Sequence, residues 1–284
     1  MKHVNVLLVC YNQEKYIGTA VESILKQQYD GPVSVLVADD ASTDGTLDLI
    51  RSYESRSPFP FIYLDASVNR GIFQNYRRAF DACPGEYVAV LEGDDYWTDA
   101  FRLQTHVDFL EAHPQCVLTI NRFVNYYEST HQELPQKWNS KGEFQWINTR
   151  MLATGNLLGN LSACVFRNAA LRRLKPDLFD MNTSDWMLGM ALGEYGPIAK
   201  LKILQSVYRI GPKGVWSGRS KAEQLDGLLV TINRYDAYFD HRYSREFAQL
   251  KRLLYLERHL PKGVMKVLRR LHFEWIKRNL HPQN

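Results

Sequence analysis

Two near-continuous apolar runs, Val4–Cys10 and residues 33–38, constrain this chain more than any other feature. A strand with one wet face alternates apolar and polar residues, whereas a strand buried on both faces does not. Residues 15–28 follow the first run and set Ile17, Ala20, Val21, Ile24 and Leu25 on one helical stripe. The pattern then repeats. Residues 46–53 read as a helix, 61–64 as a short strand, 72–82 as a helix, 87–91 as a strand, 101–112 as a helix and 116–120 as a strand. Such alternation predicts an α/β fold, with a mostly parallel sheet and helices on both faces.

The pattern changes after residue 122. Residues 129–144 are polar and contain Pro135 and Gly142, so they read as a loop. Residues 161–166 and 198–208 read as later strands. From residue 223 the period is helical, interrupted near 240–243 and at Pro261. Three parts are expected, at 1–122, 123–217 and 218–284, with no internal repeat.

Hydrophobic residues make up 45% of the 284 and aromatics 12%, which excludes a disordered chain. No apolar stretch approaches the roughly 20 residues of a spanning helix. Met1, Lys2 and His3 lead into a strand without the pattern of a secretory signal. Cys10, Cys83, Cys116 and Cys164 are scattered, which points to a reducing, cytoplasmic setting. The charge is unevenly placed. Residues 242–284 hold eleven Lys and Arg against three Glu, a net of +8, while the rest carries −4.

Open parallel sheets bind ligands beyond the carboxyl ends of their strands. Three such ends carry polar clusters here: Tyr11-Asn12, Asp39-Asp40-Ala41-Ser42-Thr43-Asp44-Gly45, and Glu92-Gly93-Asp94-Asp95. The adjacent carboxylates of Asp94 and Asp95 repel, and a hard divalent cation with oxygen ligands relieves this. The competing reading is an N-cap for the next helix, but Glu92 and Asp99 raise the anionic density beyond what a cap needs. In the second cluster Thr43 or Asp44 suits a cap. A carboxylate at that strand end can accept a hydrogen bond from a nucleotide base, Tyr11 offers a ring for stacking, and Arg70 adds a cation. A dinucleotide site is disfavoured, because Tyr11-Asn12-Gln13-Glu14 stands where a Gly-rich turn would be.

The run from Val6 to Asn12, then Ser23-Ile24-Leu25-Lys26-Gln27, Val37 to Thr46, Asn69-Arg70-Gly71, Gly85-Glu86-Tyr87 and Leu91 to Asp95, resembles the nucleotide-binding half of family 2 glycosyltransferases. The motifs fall in family order over about residues 3–122, with a weaker match over 123–216. The resemblance implies a GT-A fold: a Rossmann-like mixed sheet flanked by helices, here with a C-terminal helical extension. It implies inverting transfer from a nucleoside-diphosphate sugar with Mg2+ or Mn2+, to a glycan or lipid-linked saccharide hydroxyl in bacterial surface polysaccharide or lipopolysaccharide synthesis. Residues 1–122 would then bind the nucleotide sugar, and 123–217 the acceptor.

Carried over by position, Tyr11 flanks the base, Asp40 hydrogen-bonds it, and Arg70 lies near base or diphosphate. Asp95 holds the metal, and Asp94 lies near the ribose or donor sugar. Asp185 is the expected general base, with Glu194 as second choice and Trp186 shaping the acceptor site. Two departures stand out. The Q-x-x-R-W element of processive synthases is missing, and residues 208–217 lack the histidine that some relatives use on the metal. Arg209 and Lys213 are expected to serve the diphosphate there, on a loop that could act as a lid.

Two other readings compete: a sugar nucleotidyltransferase, and a catalytically dead binding protein on the same fold. The missing Gly-rich, basic loop after strand one weighs against the first, and the intact Asp40, Asp94, Asp95 and Asp185 against the second. The basic tail carries no nucleic-acid motif. Its helices are expected either to pack on the catalytic domain or a second subunit, or to rest peripherally on the inner face of a membrane.

Overall fold

The computed structural model describes residues 1–181, 184–211 and 220–280. Its first half follows the alternation of the sequence. Strands β1 (Val4–Cys10), β2 (Val33–Asp39), β3 (Phe61–Tyr63) and β4 (Tyr87–Glu92) are separated by helices α1 (Glu14–Leu25), α2 (Thr46–Arg51) and α3 (Ile72–Ala82). The four strands pair in parallel in the order β3-β2-β1-β4. Every residue of β1 and β2 is buried, which is what the two apolar runs require.

Direction then reverses. The chain continues through β5 (Tyr96–Trp97), α4 (Arg102–Ala112), β6 (Leu118–Tyr127), β7 (Gln132–Pro135), β8 (Phe144–Ile147), α5 (Thr149–Leu152), β9 (Cys164–Arg167), α6 (Asn168–Leu171), α7 (Asp185–Gly193) and β10 (Ile198–Ile210). Strand β9 lies antiparallel between β4 and β6, and β10 runs parallel to β6. One mixed sheet results, in the order β3-β2-β1-β4-β9-β6-β10-β5, with β7 on β6 and β8 on β10. Helices α8 (Lys221–Tyr238), α9 (Ser244–His259) and α10 (Lys262–Asn279) complete the described chain.

Alternate residues of β1 enter two core layers. Val6 and Leu8 meet α1 and α4, while Leu7 and Val9 share a layer with α3 and α7. Tyr235, Phe239, Phe247, Leu250 and Ile276 belong to the second layer, so the C-terminal helices close over one face of the sheet.

The middle of the chain differs from expectation. Strand β6 continues to Tyr127, and β7 lies inside the expected loop. Polar Asn121, Arg122 and Asn125 break the apolar run, and all of β7 is exposed, so neither shows an apolar signal. Residues 161–163 form a 3-10 turn before β9 rather than the start of a strand.

Candidate functional site

The crevice opens where β1, β2 and β4 end. Asn12 and Ala41, just past β1 and β2, hold left-handed φ angles of 51° and 62°. Non-glycine residues rarely adopt this conformation unless their surroundings enforce it. The enforcing contacts are local. The Asn12 N–H donates to Ser42 Oγ at 2.9 Å, and the Thr43 N–H to Asn12 Oδ1 at 2.8 Å. The Ser42 N–H donates to Asp39 Oδ2 at 2.8 Å. Asp44 accepts from the Thr46 N–H at 3.0 Å, but the residue at the N-cap of α2 is Gly45, so neither Thr43 nor Asp44 is the cap expected there. Tyr11 stands beside this network with 48% of its surface exposed.

Asp40 is buried and already engaged. Its two oxygens accept from the backbone N–H groups of Arg70 at 2.8 Å and Gly71 at 2.9 Å. It thereby fixes the 69–71 loop, in which Gly71 has a φ of 78° that favours glycine. The Arg70 guanidinium pairs with Asp65 at 2.9 Å and lines an open cavity of ≈ 440 Å³, along with Phe73 and Phe179.

At the end of β4 the two adjacent carboxylates differ sharply. Asp95 is 1% exposed. It accepts from Asn160 Nδ2 at 2.8 Å, Ser162 Oγ at 2.6 Å and the Arg209 N–H at 2.8 Å. Asp94 is half-buried. Glu92 accepts from the Tyr76 hydroxyl at 2.9 Å. Burial, then the neighbouring carboxylates, hold Glu92 well above the usual range. Burial followed by the Asp94 charge pushes Asp95 up to about 7, and burial also raises Asp94. The capping alternative for this pair fails. Helix α4 starts at Arg102, and Asp99 takes the Phe101 N–H at 2.8 Å.

Arg209, near the end of β10, faces this cluster. Its Nε donates to the Asp94 carbonyl at 2.8 Å, and its guanidinium lies 4.9, 5.6 and 5.4 Å from the ring centroids of Tyr16, Tyr96 and Tyr126. Three rings around one guanidinium stabilise the cation and fix its direction. Lys213 and the rest of the expected lid from Pro212 lie outside the described residues, as do Asn182 and Thr183.

Asp185 opens α7. Its carboxylate accepts from Asn156 Nδ2 at 2.9 Å. Burial raises its pKa. Its charge bears on Glu92, and Tyr208 feels Glu92, Asp95, Asp185 and Asp94 together. The fold therefore brings Asp185 and the β4 carboxylates to one place, around Tyr208.

Two sequence expectations fail here. Trp186 is 3% exposed, donates to the Leu152 carbonyl at 2.7 Å and packs edge-on against Tyr235 and Phe247. It is a core residue, because α7 has no polar face to turn outward. Glu194 caps the far end of α7, paired with Arg242 and Tyr243, about 13 Å along the helix from Asp185. Sequence reasoning missed Asn156, Asn160, Ser162 and Tyr208. No local spacing marks them.

Among the described residues, no three His, Cys, Asp or Glu side chains are grouped to hold a metal ion by themselves. Mg2+ is ordinarily held by one or two carboxylates plus substrate phosphates, and of the adjacent pair Asp94 is the carboxylate that keeps partial exposure.

Comparison with known proteins follows the same lines. The family model described as Glycosyl transferase family 2 matches residues 5–175. An uncharacterised protein of Mycobacterium tuberculosis is 32% identical over 218 residues, covering 75% of this chain and 60% of its own length. This chain therefore spans less than two thirds of that relative. The Escherichia coli protein WfaP, named as a UDP-Glc:alpha-D-GlcNAc-diphosphoundecaprenol beta-1,3-glucosyltransferase, is 29% identical over 112 residues, which is 39% of this chain and 43% of WfaP. Among solved structures, residues 1–349 of S. aureus TarS in complex with UDP-GlcNAc superpose with a TM-score of 0.65 at 19% identity, covering 90% of this chain and 73% of that one. At that identity the likeness speaks for the fold, which is of the GT-A type.

Proposed function

The chain belongs to glycosyl transferase family 2, and on that premise we propose that it moves a sugar from a nucleoside-diphosphate sugar to an acceptor hydroxyl, inverting the anomeric carbon. The observation that carries this reading is the crevice itself. Asp94 and the tyrosine-caged Arg209 stand together, and Asp185 opens a helix close enough for its charge to bear on Glu92 and Tyr208. Residues 1–122 are read as the donor half and 123–217 as the acceptor half. Tyr11 stacks on the base. Asp40 acts by fixing the 69–71 loop, so that Arg70 and the backbone beside it meet the nucleotide.

In the reaction, the bond from the anomeric carbon to the diphosphate oxygen breaks as the acceptor oxygen bonds to the opposite face. Asp185 takes the acceptor proton. Its raised pKa suits a base that must bind a proton firmly in the transition state. Arg209 offsets the negative charge that grows on the leaving diphosphate. The role first expected of Asp95 passes to Asp94, since Asp95 is enclosed by three protein donors while Asp94 is half-buried. A bound Mg2+ or Mn2+ would supply Lewis-acid stabilisation of the same diphosphate.

WfaP's name gives a diphosphoundecaprenol-linked acceptor, which supports a glycan or lipid-linked saccharide as acceptor here. Four buried, unbridged cysteines support a cytoplasmic location.

A panel of nucleoside-diphosphate sugars, read as released nucleoside diphosphate with and without a chelator, tests the proposal. Donor-specific release that rises with added saccharide acceptor supports transfer. Release of pyrophosphate from a sugar phosphate and a nucleoside triphosphate would make the chain a nucleotidyltransferase. Binding without turnover across the panel would make it a binding protein.

A further inference from the structure

Helix α10 is only half covered. Met265 and Ile276 are 5% and 3% exposed and face the protein. His272 bonds the Thr154 carbonyl at 3.4 Å, and Asn148 bonds the Leu280 carbonyl at 2.9 Å. The helix is thus held in a fixed orientation. On its outer side Val264, Val267 and Leu271 are 47%, 58% and 61% exposed. Their spacing of three and four residues puts them on one stripe. An open groove of ≈ 680 Å³ runs beside the stripe, lined by Val267, Leu271 and Trp275 together with Lys266, Arg270 and one carboxylate, Glu274. No helix among the described residues is long and apolar enough to cross a membrane.

We infer that α10 rests on an anionic lipid surface through this stripe. An interfacial helix needs an apolar face to enter the acyl boundary and basic residues to meet the headgroups. Here the apolar stripe has exposed Lys266 and Arg270 on its flank, within a segment of net charge +8 on a chain whose remainder carries −4. Charge also favours lipid over a second copy as the occupant. Glu274 lies in the same patch, but a two-fold interface would still set two segments of net charge +8 against each other, which is unfavourable. An anionic bilayer covers the apolar stripe and answers the cations at once. The covered side of α10 reaches Thr154, two residues before Asn156, which holds Asp185. A membrane-seated α10 therefore sits structurally next to the acceptor wall.

The test reads binding rather than turnover, so it stands apart from the proposed reaction. The full-length protein is sedimented with phosphatidylcholine vesicles, either pure or with about 30% phosphatidylglycerol, at low salt and at about 0.5 M salt. The expected result is binding to the anionic vesicles alone, weakened by salt. The double change Val267→Glu and Leu271→Glu lowers that affinity at least about tenfold, with the circular dichroism spectrum unchanged. The pair Lys266→Ala and Arg270→Ala lowers it too, and abolishes its salt dependence in part. Wild-type protein that ignores anionic vesicles at low salt overturns the inference, as do folded glutamate variants that bind as well as wild type. A concentration-dependent dimer that Val267→Glu and Leu271→Glu dissociate, with no vesicle binding by wild type, would assign the stripe to a second copy instead.

Discussion

Replacing Asp95 with alanine is expected to destabilise the protein before it reports on chemistry. The carboxylate is 1% exposed and accepts three hydrogen bonds, from Asn160, Ser162 and Arg209. Its loss leaves three buried donors without an acceptor. Each such orphan costs about 1–3 kcal/mol, and partial relaxation brings the sum to roughly 3–6 kcal/mol. Burial and the Asp94 charge push Asp95 up to about 7, so relief of that strain offsets part of this loss at neutral pH and less of it in acid. A loss of this size is a large part of the 5–15 kcal/mol typical of a whole domain. Half-buried Asp94 has fewer partners, and Asp94→Ala is expected to change stability by no more than about 1 kcal/mol while removing metal-linked donor binding. Urea unfolding of both variants at pH 7, paired with calorimetric titration of nucleoside diphosphate and Mn2+, separates the two roles. If Asp95→Ala were as stable as wild type yet lost metal-linked binding, the argument that Asp95 is a structural joint would be wrong.

Asp185→Asn should keep donor affinity by calorimetry and lower turnover about 10²-fold or more, the usual reach of a general base; proportionate loss of donor binding would move Asp185 to the donor site. The pH dependence of stability has a definite sign. The folded protein holds Asp95 at about 7 against an ordinary 3.8, so it binds more protons than the unfolded chain between those values. This contribution is fully present below about 4 and is lost as pH rises through 7. Urea midpoints from pH 4.5 to 7.5 should therefore fall more steeply for wild type than for Asp95→Asn, and equal slopes would contradict the assignment. Ala41→Gly should raise the melting temperature, because the left-handed φ of 62° costs an L-residue about 1–2 kcal/mol and glycine's added chain entropy returns only about half of that; a lower melting temperature would mean the Ala41 methyl is held by packing.

The sequence made the first half of the fold legible because β1 and β2 are covered on both faces, and burial on both faces leaves an uninterrupted apolar run. Helix α3 falls on residues 72–82 as expected. The breaks in the tail were legible as well. Asp240 and His241 carry left-handed φ angles, and Pro261 stands directly before α10. Strand β7 was not, since its four residues are exposed and, among the described residues, pair with β6 alone. Trp186 was misjudged although the clue was present: the run from Trp186 to Leu192 has no polar face, and a helix of that kind is buried all round.

The candidate site was legible as carboxylates but not as a joint. Asp94, Asp95 and Asp185 stand out at strand and helix ends, yet nothing local says which of the adjacent pair is enclosed. The partners that enclose Asp95 lie 65, 67 and 114 residues away. Once they are in place, Asp95 ties together elements that share no local sequence. It grips β10 through the Arg209 backbone, and the 160–162 segment through Asn160 and Ser162. That segment directly follows Gly159, which bonds Asn156 Oδ1 at 3.2 Å, while Asn156 Nδ2 holds Asp185. One buried carboxylate thus sets the distance between the caged Arg209 and Asp185. A reaction that needs a cation on the leaving group and a base on the acceptor, facing each other across one carbon, depends on that distance. This gives a physical reason for burying a carboxylate whose own pKa is driven up to about 7.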